Sequence, residues 1–142
     1  MRMKFTFSKT LLAASMALGV VCAQAQQGKL SGDAVKIGVL TDFSGVYSDY
    51  GGQGALVAAK MAVQDFGGKV FGKPIEVVSA DHQNKPDIAK SIGLRWFDRD
   101  GVDISVENLN SSVALAMQAL GKEKNKITIT TGAATARLTN ED

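Results

Sequence analysis

Apolar residues recur along this chain with two periods, and the switches between them mark out its elements. Val35-Lys36-Ile37-Gly38-Val39-Leu40 is a β-branched run of strand length. From Gly54 to Phe66 the spacing becomes helical, with Leu56, Ala59, Val63 and Phe66 recurring and Gly67-Gly68 as the stop. Pro74-Ile75-Glu76-Val77-Val78-Ser79 reads as the second strand. A helix then opens at Lys85-Pro86-Asp87, where a proline suits the first turn because its missing N–H would have no partner there, and Ile88, Ile92 and Trp96 share one face. Val102 to Val106 makes a third strand, although Asp103, Ser105 and Glu107 interrupt its apolar pattern. Val113, Ala116, Met117 and Leu120 then recur at i, i+3, i+4 and i+7, and Lys126 to Thr130 forms a fourth strand. This alternation predicts an α/β fold: a Rossmann-like, largely parallel sheet with helices on both faces and right-handed crossovers. The units share a period but no repeated signature, and no low-complexity linker divides them.

Before the first strand the pattern is different. Arg2, Lys4 and Lys9 precede an uncharged apolar stretch from Leu11 to Val21, which ends in Ala23-Gln24-Ala25. A basic head, an apolar middle and a small-residue exit are the parts of a secretory signal peptide, so residues 1–25 are expected to be removed after Ala25. The apolar stretch is shorter than the roughly 20 residues that span a bilayer. Residues 26–34 read as a flexible mature N-terminus and 35–142 as the folded unit. The single cysteine, Cys22, lies in the leader. A lipid anchor there would want Gly, Ala or Ser before the cysteine, and Val21 stands in that place. The mature chain therefore has no disulfide framework and no thiolate metal site.

Charge narrows the partners. The chain carries 16 Lys and Arg against 14 Asp and Glu, and three of the basic residues sit in the leader, so the remainder is close to neutral. No basic field exists to hold nucleic acid or an anionic membrane.

In an open α/β sheet, ligands bind at the carboxyl ends of the strands. That edge collects the loops at 41–52, 81–85, 107–112 and 132–139, rich in Ser, Thr, Asn, Tyr and Gly. Asn110-Ser111-Ser112 leads into the third helix, and a helix N-terminus with outward N–H groups favours a carboxylate or phosphate. Either serine could equally serve only as the N-cap. The loop after the first strand has no G-x-G-x-x-G and no G-x-x-x-x-G-K, which argues against nucleotides. Its Tyr47 and Tyr50 either wall a ligand or pack the loop down. His82, the only histidine, could act as a base, but no second histidine or cysteine completes a metal set and no G-x-S-x-G elbow accompanies it. A surface or supporting role suits it better. Trp96 reads as core. The sequence implies no cofactor, no metal and no catalytic residue.

Several pieces together resemble one family. Ile37-Gly38-Val39-Leu40 with Ser44-Gly45 and Tyr50-Gly51, Gly67-Gly68 with Gly72-Lys73-Pro74-Ile75-Glu76, and Gly132-Ala133-Ala134-Thr135 with Leu138-Thr139 look like the periplasmic substrate-binding proteins of branched-chain amino acid type ABC transporters. These are the leucine/isoleucine/valine-binding proteins, which have the type I periplasmic binding protein fold. The resemblance runs from Val35 to Thr139. It implies that Tyr50 packs on the ligand, that Ser111 or Ser112 with Ala133, Ala134 and Thr135 holds a carboxylate, and that Thr135 helps with an α-amino group. It also implies a small-molecule carboxylate as ligand, an ABC permease in the inner membrane as partner, a periplasmic location, no enzymatic activity and a monomer when full length.

Asp81-His82-Gln83-Asn84-Lys85 looks like a subgroup that also serves aromatic acids and other carboxylates, so the ligand stays open between these classes. A sensory ectodomain shares the fold. A sugar-responsive transcription regulator does too, but the export signal and the lack of DNA-binding helices argue against it. Family members run well over twice this length. The resemblance therefore implies an incomplete N-terminal lobe, whose second lobe is missing and which is expected to fold poorly and bind weakly alone.

Overall fold

The computed structural model describes residues 32–140. The leader and cleavage site read at 1–25, and most of the polar stretch after them, lie outside the described residues. The strands are β1 (Val35–Thr41), β2 (Lys69–Val70), β3 (Lys73–Asp81), β4 (Ile104–Glu107) and β5 (Ile127–Thr130). The helices are α1 (Gly52–Asp65), α2 (Pro86–Arg95), α3 (Ser111–Lys124) and α4 (Arg137–Asn140). A π-helical turn, Trp96–Asp100, extends α2. The strands form one sheet in the order β2-β3-β1-β4-β5. β1 pairs in parallel with β3 and β4, and β4 in parallel with β5. The predicted α/β architecture is the one observed. No helix among the described residues is long and apolar enough to cross a membrane.

The strand order fixes where the helices lie. From β1 the chain steps one way to β3, then returns past β1 to β4 and onward to β5. Right-handed crossovers therefore put α1 on one face and α2 with α3 on the other. The second face carries the main core: Leu40, Ala89, Trp96, Phe97, Val102, Val113, Met117 and Leu120, all buried. Trp96 belongs to this core, as its spacing indicated. Gly38 lies beneath it, because a Cβ there would stand 2.4 Å from the indole ring. The α1 face is less covered: Val57 and Met61 of α1 are exposed, as are Ile127 (57%) and Ile129 (48%) of β5.

Beyond shifts of one or two residues at other element ends, two departures from the sequence expectation stand out. The third predicted strand, 102–106, runs instead over 104–107, because Val102 is still bonded to the turn before it, its N–H donating to the Trp96 carbonyl at 3.0 Å. Asp103 serves the strand edge: its backbone N–H donates to Lys36 O (2.9 Å), and its carboxylate accepts from Lys36 N at 2.9 Å. The antiparallel pair β2–β3 was not expected at all. Phe71 and Gly72 both take positive φ (49° and 79°), which closes a two-residue hairpin.

Of the polar residues that interrupt the third strand, Asp103 is partly buried, and Ser105 and Glu107 are buried and bonded. Ser105 donates to Asn108 Oδ1 at 2.8 Å, Asn108 Nδ2 donates to the Ile129 carbonyl at 3.0 Å, and Glu107 Oε2 accepts from the Thr131 hydroxyl. Burying a polar group without a partner costs about 1–3 kcal/mol, so these bonds make the interruption tolerable.

His82, just past β3, is completely buried. Its backbone N–H donates to the Thr41 carbonyl at 3.0 Å, and the ring Nδ1 accepts from Asn84 N at 3.0 Å. Burial pushes the imidazole pKa below its ordinary value of 6.5, against the opposing charges of Asp42 and Asp81.

Two outcomes are expected. Gly38→Ala in the full-length protein should lower the unfolding free energy by about 1–3 kcal/mol, read as a reduced urea midpoint, because the indole is boxed in by core side chains. Keeping His82 neutral contributes stability that is whole above pH 6.5 and is lost as pH falls from there toward the lowered folded-state value. Urea titrations between pH 7.5 and 5 should show this loss, and His82→Asn should remove it.

Candidate functional site

All four parallel strands deliver their carboxyl ends to one edge, and the loops that leave them are tied there by side chains. Asp42, directly after β1, has no solvent exposure. Its carboxylate accepts from Gly45 N (2.7 Å) and Tyr47 N (3.0 Å), which bends the chain into the turn carrying both tyrosines. Asp81, at the end of β3, accepts from the Ser44 hydroxyl (2.6 Å), Gln83 N (2.8 Å) and Phe43 N (3.0 Å). Partial burial pushes the Asp81 pKa up, but these three bonds and the nearby His82 outweigh it and hold the carboxyl below its ordinary value.

Glycines let the loops close on one another. A Cβ at Gly51 would meet Glu107 Oε1 at 2.6 Å and Thr41 Oγ1 at 2.8 Å. One at Gly132 would meet Leu109 at 2.5 Å and the Tyr50 ring at 3.0 Å. The ring of Tyr50 thus leans over the loop after β5 while remaining 71% exposed.

These approaches leave a cleft of about 290 Å³ lined by Tyr47, Tyr50, Leu109, Asn110, Ser111, Gly132 and Ala134. Its floor is the start of α3. Asn110 takes the N-cap, with φ 72° and ψ 154°, and its Oδ1 accepts from Val113 N at 2.9 Å. Of the two readings of the serines, capping therefore falls to neither, because the residue before them takes that place. Asparagine is at least as good a cap as serine, and here its side chain reaches the third amide. Ser111 is released from capping and accepts from Ala134 N at 3.3 Å, across the cleft edge. Ser112 is exposed, and its hydroxyl donates to Asn110 Oδ1 at 2.8 Å, which reinforces the cap.

Of the six residues singled out in the sequence, Tyr50, Ser111 and Ala134 meet in this cleft. Ala133 and Thr135 line a neighbouring hollow of about 360 Å³ with Gln118, Thr128 and Thr130. Ser112 sits at the helix start without lining either space. Leu109, Asn110 and Gly132 also line the cleft, though the sequence reading gave none of them a site role. Asn110 had a usable signal, since an asparagine directly before an apolar helical pattern is itself a cap signature. His82 as a catalytic base does not survive its burial, because an imidazole with no exposed surface cannot reach a substrate. Among the described residues, no group of three or more His, Cys, Asp or Glu could hold a metal ion.

Residues 34–142 match the family described as periplasmic binding protein. No curated protein matches the chain. Among solved structures, a periplasmic binding protein from Burkholderia mallei is 59% identical with a TM-score of 0.74, over 77% of this chain and 29% of its own. A branched chain amino acid ABC transporter periplasmic ligand-binding protein from Burkholderia xenovorans LB400 is 48% identical with a TM-score of 0.71, over 72% of this chain and 28% of its own. A solute binding protein of an ABC transporter from Rhodopseudomonas palustris BisB5, in complex with 3,4-dihydroxy benzoic acid, is 27% identical with a TM-score of 0.70, over 76% of this chain and 30% of its own. The chain thus spans less than a third of the length of each of these relatives. The family match extends from the first strand through the loop that closes the cleft, and on that ground the chain belongs to the periplasmic binding proteins, with the type I fold of ABC-transporter solute receptors.

Proposed function

We propose that the parent protein captures a small carboxylate in the periplasm, between this lobe and a second one, and hands it to an ABC permease in the inner membrane. Ligand is bound and released unchanged, by a receptor acting as a monomer. The observation that carries this reading is the pairing of Ser111 with the Ala134 amide at the start of α3, beneath Tyr50. The first-turn amides of a helix present partial positive charge, and the Ser111 hydroxyl, whose oxygen already accepts from the Ala134 amide, keeps its own proton to give to a carboxylate oxygen. Ala133 and Thr135 flank Ala134 and would set the rim, with Thr135 turned to a ligand's amino or hydroxyl group on lobe closure. Ser112 supports the helix terminus through Asn110.

Two carboxylate classes suit the cleft. A branched-chain amino acid would lay its side chain on Tyr50 and Leu109. An aromatic acid is favoured by the pair of exposed tyrosines, Tyr47 and Tyr50, which offer ring faces for stacking, and the Rhodopseudomonas relative is solved with an acid of that class.

Calorimetric titration of the full-length protein with L-leucine, 3,4-dihydroxybenzoate and the corresponding amides tests both. The acid of one class should bind, and its amide should bind far more weakly. Ser111→Ala should weaken the acid about 10- to 100-fold, the loss of one hydrogen bond to a charged group. Equal binding of acid and amide, or unchanged affinity in the variant, would remove the carboxylate assignment.

A further inference from the structure

We propose that Asn84 and Asn110 form a positioning relay tying the ligand-facing end of α3 to the buried imidazole of His82, so that the site's geometry follows that imidazole's protonation. The proposal deepens the function given above and rests on it only for what the site binds.

The contacts form one line. His82 Nδ1 accepts from Asn84 N at 3.0 Å, and Asn84 Oδ1 accepts from Asn110 Nδ2. The other end of the Asn110 carboxamide accepts from Val113 N and from the Ser112 hydroxyl, at 2.9 and 2.8 Å. One side chain therefore joins the loop after β3 to the first turn of α3, with Ser111 held between its anchor points. The backbone at both ends of this line is in the left-handed region: φ is 51° at Gln83, 56° at Asn84 and 72° at Asn110. Such conformations persist when surrounding bonds hold them, so releasing one bond gives the segment somewhere to relax.

His82 controls the first bond. An imidazole that accepts at Nδ1 carries its proton on Nε2, and that atom is buried with no hydrogen-bond partner among the described residues. Taking up a second proton converts Nδ1 from acceptor to donor, and it then faces the Asn84 N–H donor. The charged groups facing the ring are Asp42, from the loop after β1, and Asp81, from the end of β3. Both favour the cation, and burial opposes it. As pH falls, the loop at 82–85 loses its hold, Asn110 loses its outer support, and the turn bearing Ser111 loosens.

Hydrogen exchange at the Val113 and Ala134 amides of the full-length protein, without ligand and corrected for intrinsic rates, tests the relay from about pH 8 down through the point below 6.5 at which the folded protein's His82 titrates, followed by its ring resonances. In the unmodified protein, Val113 protection should fall about tenfold as His82 takes up its proton, the scale of one lost hydrogen bond. His82→Asn keeps an acceptor near the position of Nδ1 and does not titrate, so its protection should stay level. Asn84→Gly removes the carboxamide while tolerating positive φ, and should lower protection at every pH. Matching pH profiles in the unmodified protein and His82→Asn, or full protection in Asn84→Gly, overturn the relay. If His82→Asn does not fold, the other two profiles decide. Affinities for L-leucine and 3,4-dihydroxybenzoate on the same proteins keep the two proposals apart: no binding at any pH removes the carboxylate function, while the exchange profiles alone judge the relay.

Discussion

The carboxylate of Asp42 touches no solvent, yet it answers for two backbone amides of the loop that follows it. Related arrangements recur at the ends of β3 and β4. Asp81 takes the amides of Phe43 and Gln83, Asn108 reaches the carbonyl of Ile129, and Asn110 takes the amide of Val113. Loops that turn sharply expose backbone groups the sheet can no longer pair, and those groups must find partners or remain in water. Short polar side chains at or just beyond the ends of β1, β3 and β4 supply the partners. The cleft exists because these loops are held in place.

Much of this was legible in the sequence because it follows from period. β1, α1, α2, α3 and β5 announce themselves by spacing, and Trp96 by its place in that spacing. What escaped depends on partners, which a pattern does not contain. Ser105 and Glu107 look like defects in a strand until Asn108 and Thr131 are seen beside them. β2 is two residues long and has no period to detect. Asn110 was overshadowed by the serines after it, since all three are capping residues and only geometry tells which one turns inward. His82 invited a chemical role by being the only histidine, and its burial between Asp42, Asp81 and Asn84 makes it a structural ionisable group instead.

The two faces of the sheet are unlike. Behind α2 and α3, glycines allow close approach: a Cβ at Gly93 would meet Leu120 and Met117 within 2.8 Å, and one at Gly121 would meet Thr128 at the same distance. On the α1 side, β5 presents its exposed isoleucines, Ile127 and Ile129, while its partly buried threonines turn to the α3 side. The strand ends that build the cleft are thus braced mainly from one side.

The Ser111 hydroxyl accepts from the Ala134 amide, and a hydroxyl has one proton to give as well as lone pairs to receive. When its oxygen is already engaged, polarisation along the chain makes that proton a better donor. An anion entering the cleft would therefore meet a loop amide and a hydroxyl already linked in series rather than two independent groups. Such a series behaves as one wire, and its electrostatic pull on the anion would depend on the loop after β5 staying within reach of α3.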